Sequence, residues 1–257
     1  MHDANGTLAS GCIIFNLRSY SVGSDTQLFS VPAMPGLGAN SMQIFLDTAN
    51  IAEIKKSLAT GVVSGVTTNP SIISRENKPF DTCIAEIIAV DPNLTVLLEV
   101  LAMDTQGMIS EARKLNNISN NIVVKIPMTP EGLAAVKVLS QEGIKTTVTL
   151  VFSLNQAIAA SCVGADYVAP FIGRLEDIDT DGTELVNTIK RTFETQKNKT
   201  KIIVASIRTP KAVSTLFSIG CDIITMPLNI LEGMFKHPLT DAGLKKFNED
   251  WQKVPAK

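Results

Sequence analysis

From Met42 to the C-terminus, short runs rich in Val, Ile and Thr alternate with longer amphipathic stretches. The runs are Gln43–Asp47, Val63–Thr68, Thr95–Val100, Ile122–Ile126, Lys145–Val151, Asp166–Phe171, Lys201–Ser206 and Asp222–Met226. Each is almost continuously apolar, the pattern of parallel strands covered on both faces. Helix signals fill the gaps. Thr129-Pro130 and Thr209-Pro210 each place an N-cap before a proline at the first helical position. Ser153-Leu154-Asn155-Gln156 reads as a capping box, and Gly143, Gly164 and Gly220 close helices ahead of the next strand. In the first helix Ile51, Ile54 and Leu58 share a face, away from Glu53, Lys55 and Lys56. Eight strands, each followed by a helix, predict an α/β fold, a (β/α)8 TIM barrel with an extra C-terminal helix over Thr240–Trp251. Leu244, Phe247 and Trp251 recur there at helical spacing, to cover the barrel or pack on a neighbouring subunit. A doubly wound open sheet is the runner-up, weakened because no glycine-rich dinucleotide fingerprint follows the first strand.

Residues 1–41 break the pattern. They are rich in Gly, Ser, Asn and Pro. Their apolar patch Cys12-Ile13-Ile14-Phe15 is too short for a secretory signal, and the acid-to-arginine balance does not suit a transit peptide. The expectation is an N-terminal extension, disordered or artificially added, with Met42 as the natural start of a barrel over 42–257. The 257-residue length suits that single barrel.

Composition narrows the chemistry. A formal charge of −2 gives no general pull toward nucleic acid or acidic membranes. No apolar stretch is long enough to span a bilayer. Cys12, Cys83, Cys162 and Cys221 form no zinc-like or redox-like pair, so they read as small core residues in a reducing compartment. With only His2 and His237, a histidine metal site or a histidine-activated nucleophile has little to draw on.

The remaining polar residues gather by position. Barrel active sites form at the carboxyl ends of the strands. Those ends carry Asp47, then Thr67-Thr68-Asn69, Glu99, Lys125, Thr149 and Ser206. Lys125 ends the apolar run Ile122-Val123-Val124. Burial opposes the charged form of an amine, and a neutral amine can attack a carbonyl. Each residue also has a plain reading: Lys125 could snorkel, Asp47 could begin a helix, Thr67 to Asn69 could form a turn, and Glu99 could neutralise Lys125. Together they are the equipment of a carbonyl nucleophile with acid/base groups. Arg174 and Arg208 follow the sixth and seventh strands, where barrel phosphate sites lie, or they pair with a surface acid such as Glu176.

These motifs resemble the small transaldolase and fructose-6-phosphate aldolase family. The resemblance rests on Phe45-Leu46-Asp47-Thr48-Ala49, Gly65-Val66-Thr67-Thr68-Asn69-Pro70-Ser71, Val123-Val124-Lys125-Ile126-Pro127-Met128-Thr129, Gly143-Ile144-Lys145-Thr146, Pro170-Phe171-Ile172-Gly173-Arg174, Ala205-Ser206-Ile207-Arg208 and His237-Pro238-Leu239-Thr240. It implies Lys125 as the Schiff-base lysine and Asp47 as the acid/base of carbon–carbon cleavage. Glu99 and Thr149 would position a catalytic water. Thr67, Asn69 and Phe171 would border the substrate, and Arg174, Ser206 and Arg208 would hold its phosphate end. It also implies sugar-phosphate substrates, no metal or organic cofactor, a cytoplasmic location and a homo-oligomer, a decamer or pentamer, joined by the C-terminal helix. Free-aldolase members resemble this chain but carry glutamine at position 99 and tyrosine at position 171. Glu99 and Phe171 match the transaldolase pattern instead. The alternatives are a fructose-6-phosphate aldolase that releases dihydroxyacetone, and a non-catalytic sugar-phosphate-binding barrel.

Overall fold

The computed structural model describes residues 42–255, so the expectations for residues 1–41, Cys12 and His2 included, lie outside it. Eight parallel strands close in chain order into a barrel, which excludes the open sheet. They are β1 (Gln43–Asp47), β2 (Val63–Thr67), β3 (Thr95–Glu99), β4 (Ile122–Pro127), β5 (Thr146–Val151), β6 (Tyr167–Pro170), β7 (Lys201–Val204) and β8 (Ile223–Met226). β1 hydrogen-bonds to β2 on one side and β8 on the other, leaving no sheet edge. β2, β3, β6 and β7 stop one or two residues before the apolar run does, because the run continues into the loop that bends toward the following helix.

The helices are α1 (Ile51–Leu58), α2 (Pro70–Arg75), α3 (Phe80–Val90), α4 (Thr105–Asn116), α5 (Pro130–Gln141), α6 (Leu154–Cys162), α7 (Ile172–Glu176), α8 (Gly182–Thr195), α9 (Pro210–Ile219), α10 (Leu228–Phe235) and α11 (Pro238–Trp251). α2 and α7 are short extra helices at the carboxyl-end mouth, ahead of α3 and α8. The caps expected at Thr129 and Thr209 form, each hydroxyl accepting from the backbone N–H three residues on. Ser153 also caps α6. The capping box there is altered: Gln156 Oε1 accepts from Phe152 N–H at 2.7 Å, one residue earlier than the motif predicts. Left-handed Gly143, Gly164 and Gly220 end their helices as expected.

Alternating residues of each strand face opposite ways. Outward residues such as Leu46, Val66, Leu98, Val124 and Ile224 pack under the helices in one continuous core. Inward residues Phe45, Leu97, Val123, Ile203 and Ile223 fill the amino-end half of the lumen, with Tyr167 against them. Gly65 lies beside this plug, and a Cβ there would sit 2.5 Å from the Phe45 ring. Only glycine lets the ring cross the lumen.

Two expectations need correction. Cys83 and Cys221 are buried, but Cys162 is exposed because its position on α6 faces away from the barrel; Cys221 lies past the end of α9. α11 does not cover the barrel: none of its residues is buried, and Leu244, Phe247 and Trp251 are exposed. Among the described residues no helix is long and apolar enough to cross a membrane.

Candidate active site

Above the apolar plug the lumen turns polar. Asp47, Thr67, Asn69, Lys125, Phe171, Arg174, Ser206 and Thr225 border one cavity of about 120 Å³ at the carboxyl end of the barrel. Lys125 stands on the inward face of β4 and is 4 % exposed, so it does not snorkel to solvent. Its Nζ donates to the Thr68 carbonyl oxygen at 2.8 Å and lies 3.2 Å from Glu99 Oε2. The pairing is set by register, because Glu99 and Lys125 are neighbours across β3 and β4. A lone buried ammonium would be costly, and the carboxylate offsets that cost while remaining in reach of the amine.

Asp47 ends β1, directly beside Thr67 of β2. It does not cap α1, whose N-cap is Asn50. Its Oδ1 accepts from the Thr67 hydroxyl at 2.7 Å, and Thr67 Oγ1 lies 2.6 Å from Thr225 Oγ1. Burial pushes the Asp47 carboxyl above the ordinary aspartate range; the Thr67 hydrogen bond and then the charges of Lys125 and Arg75 oppose that rise. An acid held in that balance is suited to accepting and returning a proton.

Asn69 is the N-cap of α2, where Oδ1 accepts from Ile72 N–H at 3.0 Å. The cap fixes the side chain at the cavity wall. The turn expected at Thr67 to Asn69 therefore exists, and it serves the site. Thr149 lies on β5 with its hydroxyl buried and without a protein hydrogen-bond partner; the same holds for Thr147 two residues earlier on that face. Thr146, on the other face of β5, and Ser57 of α1 are in the same condition, so it is not peculiar to the lumen.

The phosphate-end candidates divide. Ser206 reaches the cavity from a left-handed backbone, φ 61°, a strained state for a residue with a Cβ. Gly173 N–H donates to its carbonyl oxygen at 3.0 Å, and a Cβ on Gly173 would come within 2.3 Å of that oxygen. Glycine thus lets α7 press against the loop after β7. Arg174 extends over the Phe171 ring, its guanidinium carbon 5.3 Å from the centroid. Phe171 also meets Phe152 edge-on at 6.2 Å. Arg208 does not border the cavity. Its guanidinium makes a two-pronged hydrogen bond to Asp177, just after α7, and both groups are half exposed. The acid is Asp177 rather than the expected Glu176, since Asp177 follows the helix and faces the loop after β7.

Comparison with known proteins shows the family. The model of the family described as transaldolase/fructose-6-phosphate aldolase matches residues 44–257. The chain belongs to that family. A probable transaldolase from Kosmotoga olearia is 54 % identical over 211 residues, 82 % of this chain and 96 % of that protein. One from Aquifex aeolicus is 51 % identical over 216 residues, covering 84 % and 99 %. One from Methanococcus maripaludis is 49 % identical over 211 residues, covering 82 % and 98 %. The matched span is the transaldolase-family barrel and its C-terminal helix.

Two polar residues of this transaldolase-family site were not singled out from sequence. Thr225 is the one polar residue in Ile223-Ile224-Thr225-Met226, near the end of the eighth strand, so the strand-end rule could have found it. Thr147 shares the inward face with Thr149 by simple alternation and lies opposite Lys125 in the register.

Proposed function

We propose that this family member is a transaldolase that moves a dihydroxyacetone unit from a ketose phosphate to an aldose phosphate through an imine on Lys125. The observation that carries the reading is a fully enclosed lysine amine, 3.2 Å from a carboxylate, in a cavity shared with a second carboxylate. Glu99 takes a proton from Lys125, and the freed lone pair attacks the ketone carbon of fructose 6-phosphate or sedoheptulose 7-phosphate. Glu99, through a water held with Thr149, assists loss of hydroxide from the carbinolamine as water, leaving a protonated imine. Asp47 then removes the proton from the hydroxyl next to the bond that breaks. That oxygen becomes an aldehyde, the carbon–carbon electron pair flows into the imine, and the aldose phosphate leaves. The retained three-carbon enamine attacks the aldehyde of erythrose 4-phosphate or glyceraldehyde 3-phosphate, Asp47 returns the proton, and hydrolysis frees Lys125. Thr67 and Asn69 border the sugar hydroxyls in this scheme, while Arg174, Ser206 and Arg208 meet the phosphate. Arg208 must exchange Asp177 for the phosphate to do so.

Glu99 and Phe171 favour transfer over release. Phe171 borders the cavity without a hydroxyl that could deliver a proton to the enamine, so the three-carbon unit persists until an acceptor arrives. The exposed apolar stripe of α11 supports the homo-oligomer, a decamer or pentamer, in which this helix reaches a second copy. A cytoplasmic place in the pentose phosphate pathway completes the reading.

Borohydride reduction in the presence of fructose 6-phosphate is expected to leave a three-carbon adduct on Lys125, located by peptide mass. An adduct elsewhere, or none, rejects the imine. Assays with and without erythrose 4-phosphate then separate transfer from release. Equal turnover without acceptor favours the aldolase, and sugar-phosphate binding with neither adduct nor turnover favours a non-catalytic binder.

A further inference from the structure

We infer that Thr225 is a positioning residue for Asp47, acting through the hydroxyl of Thr67, so that three adjacent strands aim one carboxylate. The inference rests on the imine reading above and deepens it. β1 lies between β2 and β8, and Asp47, Thr67 and Thr225 project from these three strands into the same cavity. An ionised carboxylate can only accept hydrogen bonds. Thr67 therefore gives its single proton to Asp47 Oδ1 at 2.7 Å. That leaves its oxygen to accept, and Thr225, 2.6 Å away, is the donor. The direction of the chain is fixed: Thr225 to Thr67 to Asp47. Each link polarises the next, so the second hydroxyl strengthens the first.

This arrangement has a chemical consequence. Among the described residues no group donates to Asp47 Oδ2, so the chain pins one oxygen and leaves the other to face the substrate hydroxyl. When Oδ2 takes that proton, Oδ1 still accepts from Thr67, and the carboxyl keeps its aim for returning the proton to an acceptor aldehyde. Thr225 is 2 % exposed, and its hydroxyl meets another side chain at the polar end of the lumen. Valine would fill the same space, so bulk alone does not account for a hydroxyl here.

The test uses Thr225→Val, Thr225→Ser and the Thr67→Val background in the full-length protein, with the borohydride adduct on Lys125 measured in each. Thr225→Val is expected to keep the adduct and KM, to lower kcat about three- to tenfold, the worth of one hydrogen bond, and to move the acid limb of the kcat profile to higher pH. Thr225→Ser restores kcat and the profile. In the Thr67→Val background, Thr225→Val has no further effect, because the link it would act through is gone. Unchanged kcat and pH profile in Thr225→Val, a change in KM alone, or additive losses in the double variant would overturn the inference while leaving the imine intact. Absence of the adduct in the unaltered enzyme overturns both.

Discussion

Phe45 and Asp47, Leu97 and Glu99, Val123 and Lys125, and Ile223 and Thr225 each stand two positions apart. In each pair both side chains point into the lumen, because a strand repeats its facing every second residue. The lower member belongs to the apolar plug, and the upper member is polar and stands at the mouth. The same strands thus build a floor that excludes water and a ring that needs polar partners. The contrast shows how the site tolerates a buried lysine. The floor fixes the height and direction of each strand end, and register then places Glu99 beside Lys125 and Thr67 beside Asp47. The polar ring is costly to fold and, on the proposed mechanism, is retained for chemistry, whereas the floor supplies stability.

Asp47→Asn is the largest expected break in the upper ring. On the proposed mechanism it removes the group that takes the substrate proton, and turnover should fall about 10²- to 10⁴-fold, the usual scale for general acid–base catalysis. Stability should move the other way. Burial raises the Asp47 carboxyl above its unfolded value, so the folded protein binds this proton more readily than the unfolded chain does. Its contribution to stability is therefore full below the unfolded value and is lost as pH rises through the folded one. Keeping this carboxylate ionised in the fold is a cost, which asparagine removes while still accepting from Thr67. Thermal unfolding should show Asp47→Asn more stable than the parent at neutral pH, with the gap closing in acid. A variant that is less stable at neutral pH would mean that the charge helps the fold.

Ile223→Ala tests the floor. Ile223 is 3 % exposed within the plug, and its truncation should cost about 2–5 kcal/mol by loss of burial and an unfilled cavity. Denaturant midpoints measure that loss. At temperatures where the variant is folded, kcat should stay within about twofold and the Lys125 adduct should form, as expected for separable contributions. A large fall in kcat would show that the floor and the ring are one unit.

How much of this was legible along the chain depends on what kind of signal each feature leaves. Strands such as Ile122–Pro127 are buried on both faces, so a continuous apolar run marks them. Thr129, Thr209 and Gly220 mark helix ends because capping and left-handed turns demand particular side chains. Once the barrel was inferred, Asp47, Lys125, Asn69 and Ser206 could be assembled by the strand-end rule alone. The failures share a different cause. α2 and α7 are too short to show a helical period. The pairing of Arg208 with Asp177 depends on how two exposed loops meet, and neither residue carries a pattern. Left-handed Leu150 and Ser206 leave no trace, since only glycine advertises a positive φ. Cys162 was misread because a residue type that favours interiors stood on the outer face of α6.

Phe171 and Tyr167 offer the smallest and most selective test of the contrast. They stand four residues apart, at the start of β6 and just past its end, and both face inward, Tyr167 against the floor and Phe171 at the cavity. Burial, with the charges of Asp166 and Asp222, pushes the Tyr167 phenol up, so it stays protonated throughout the working range. The single hydroxyl on this face therefore lies at the inert end. Tyr167→Phe should leave both turnover and its acceptor dependence unchanged. Phe171→Tyr places a hydroxyl beside the enamine instead, where it can hold a proton-donating water, and acceptor-independent release of dihydroxyacetone should rise by a few-fold, about the worth of one hydrogen bond in the transition state. The measured quantity is the ratio of turnover without erythrose 4-phosphate to turnover with it. A ratio that shifts in Tyr167→Phe, or stays fixed in Phe171→Tyr, would show that hydroxyl position along β6 does not decide between transfer and release.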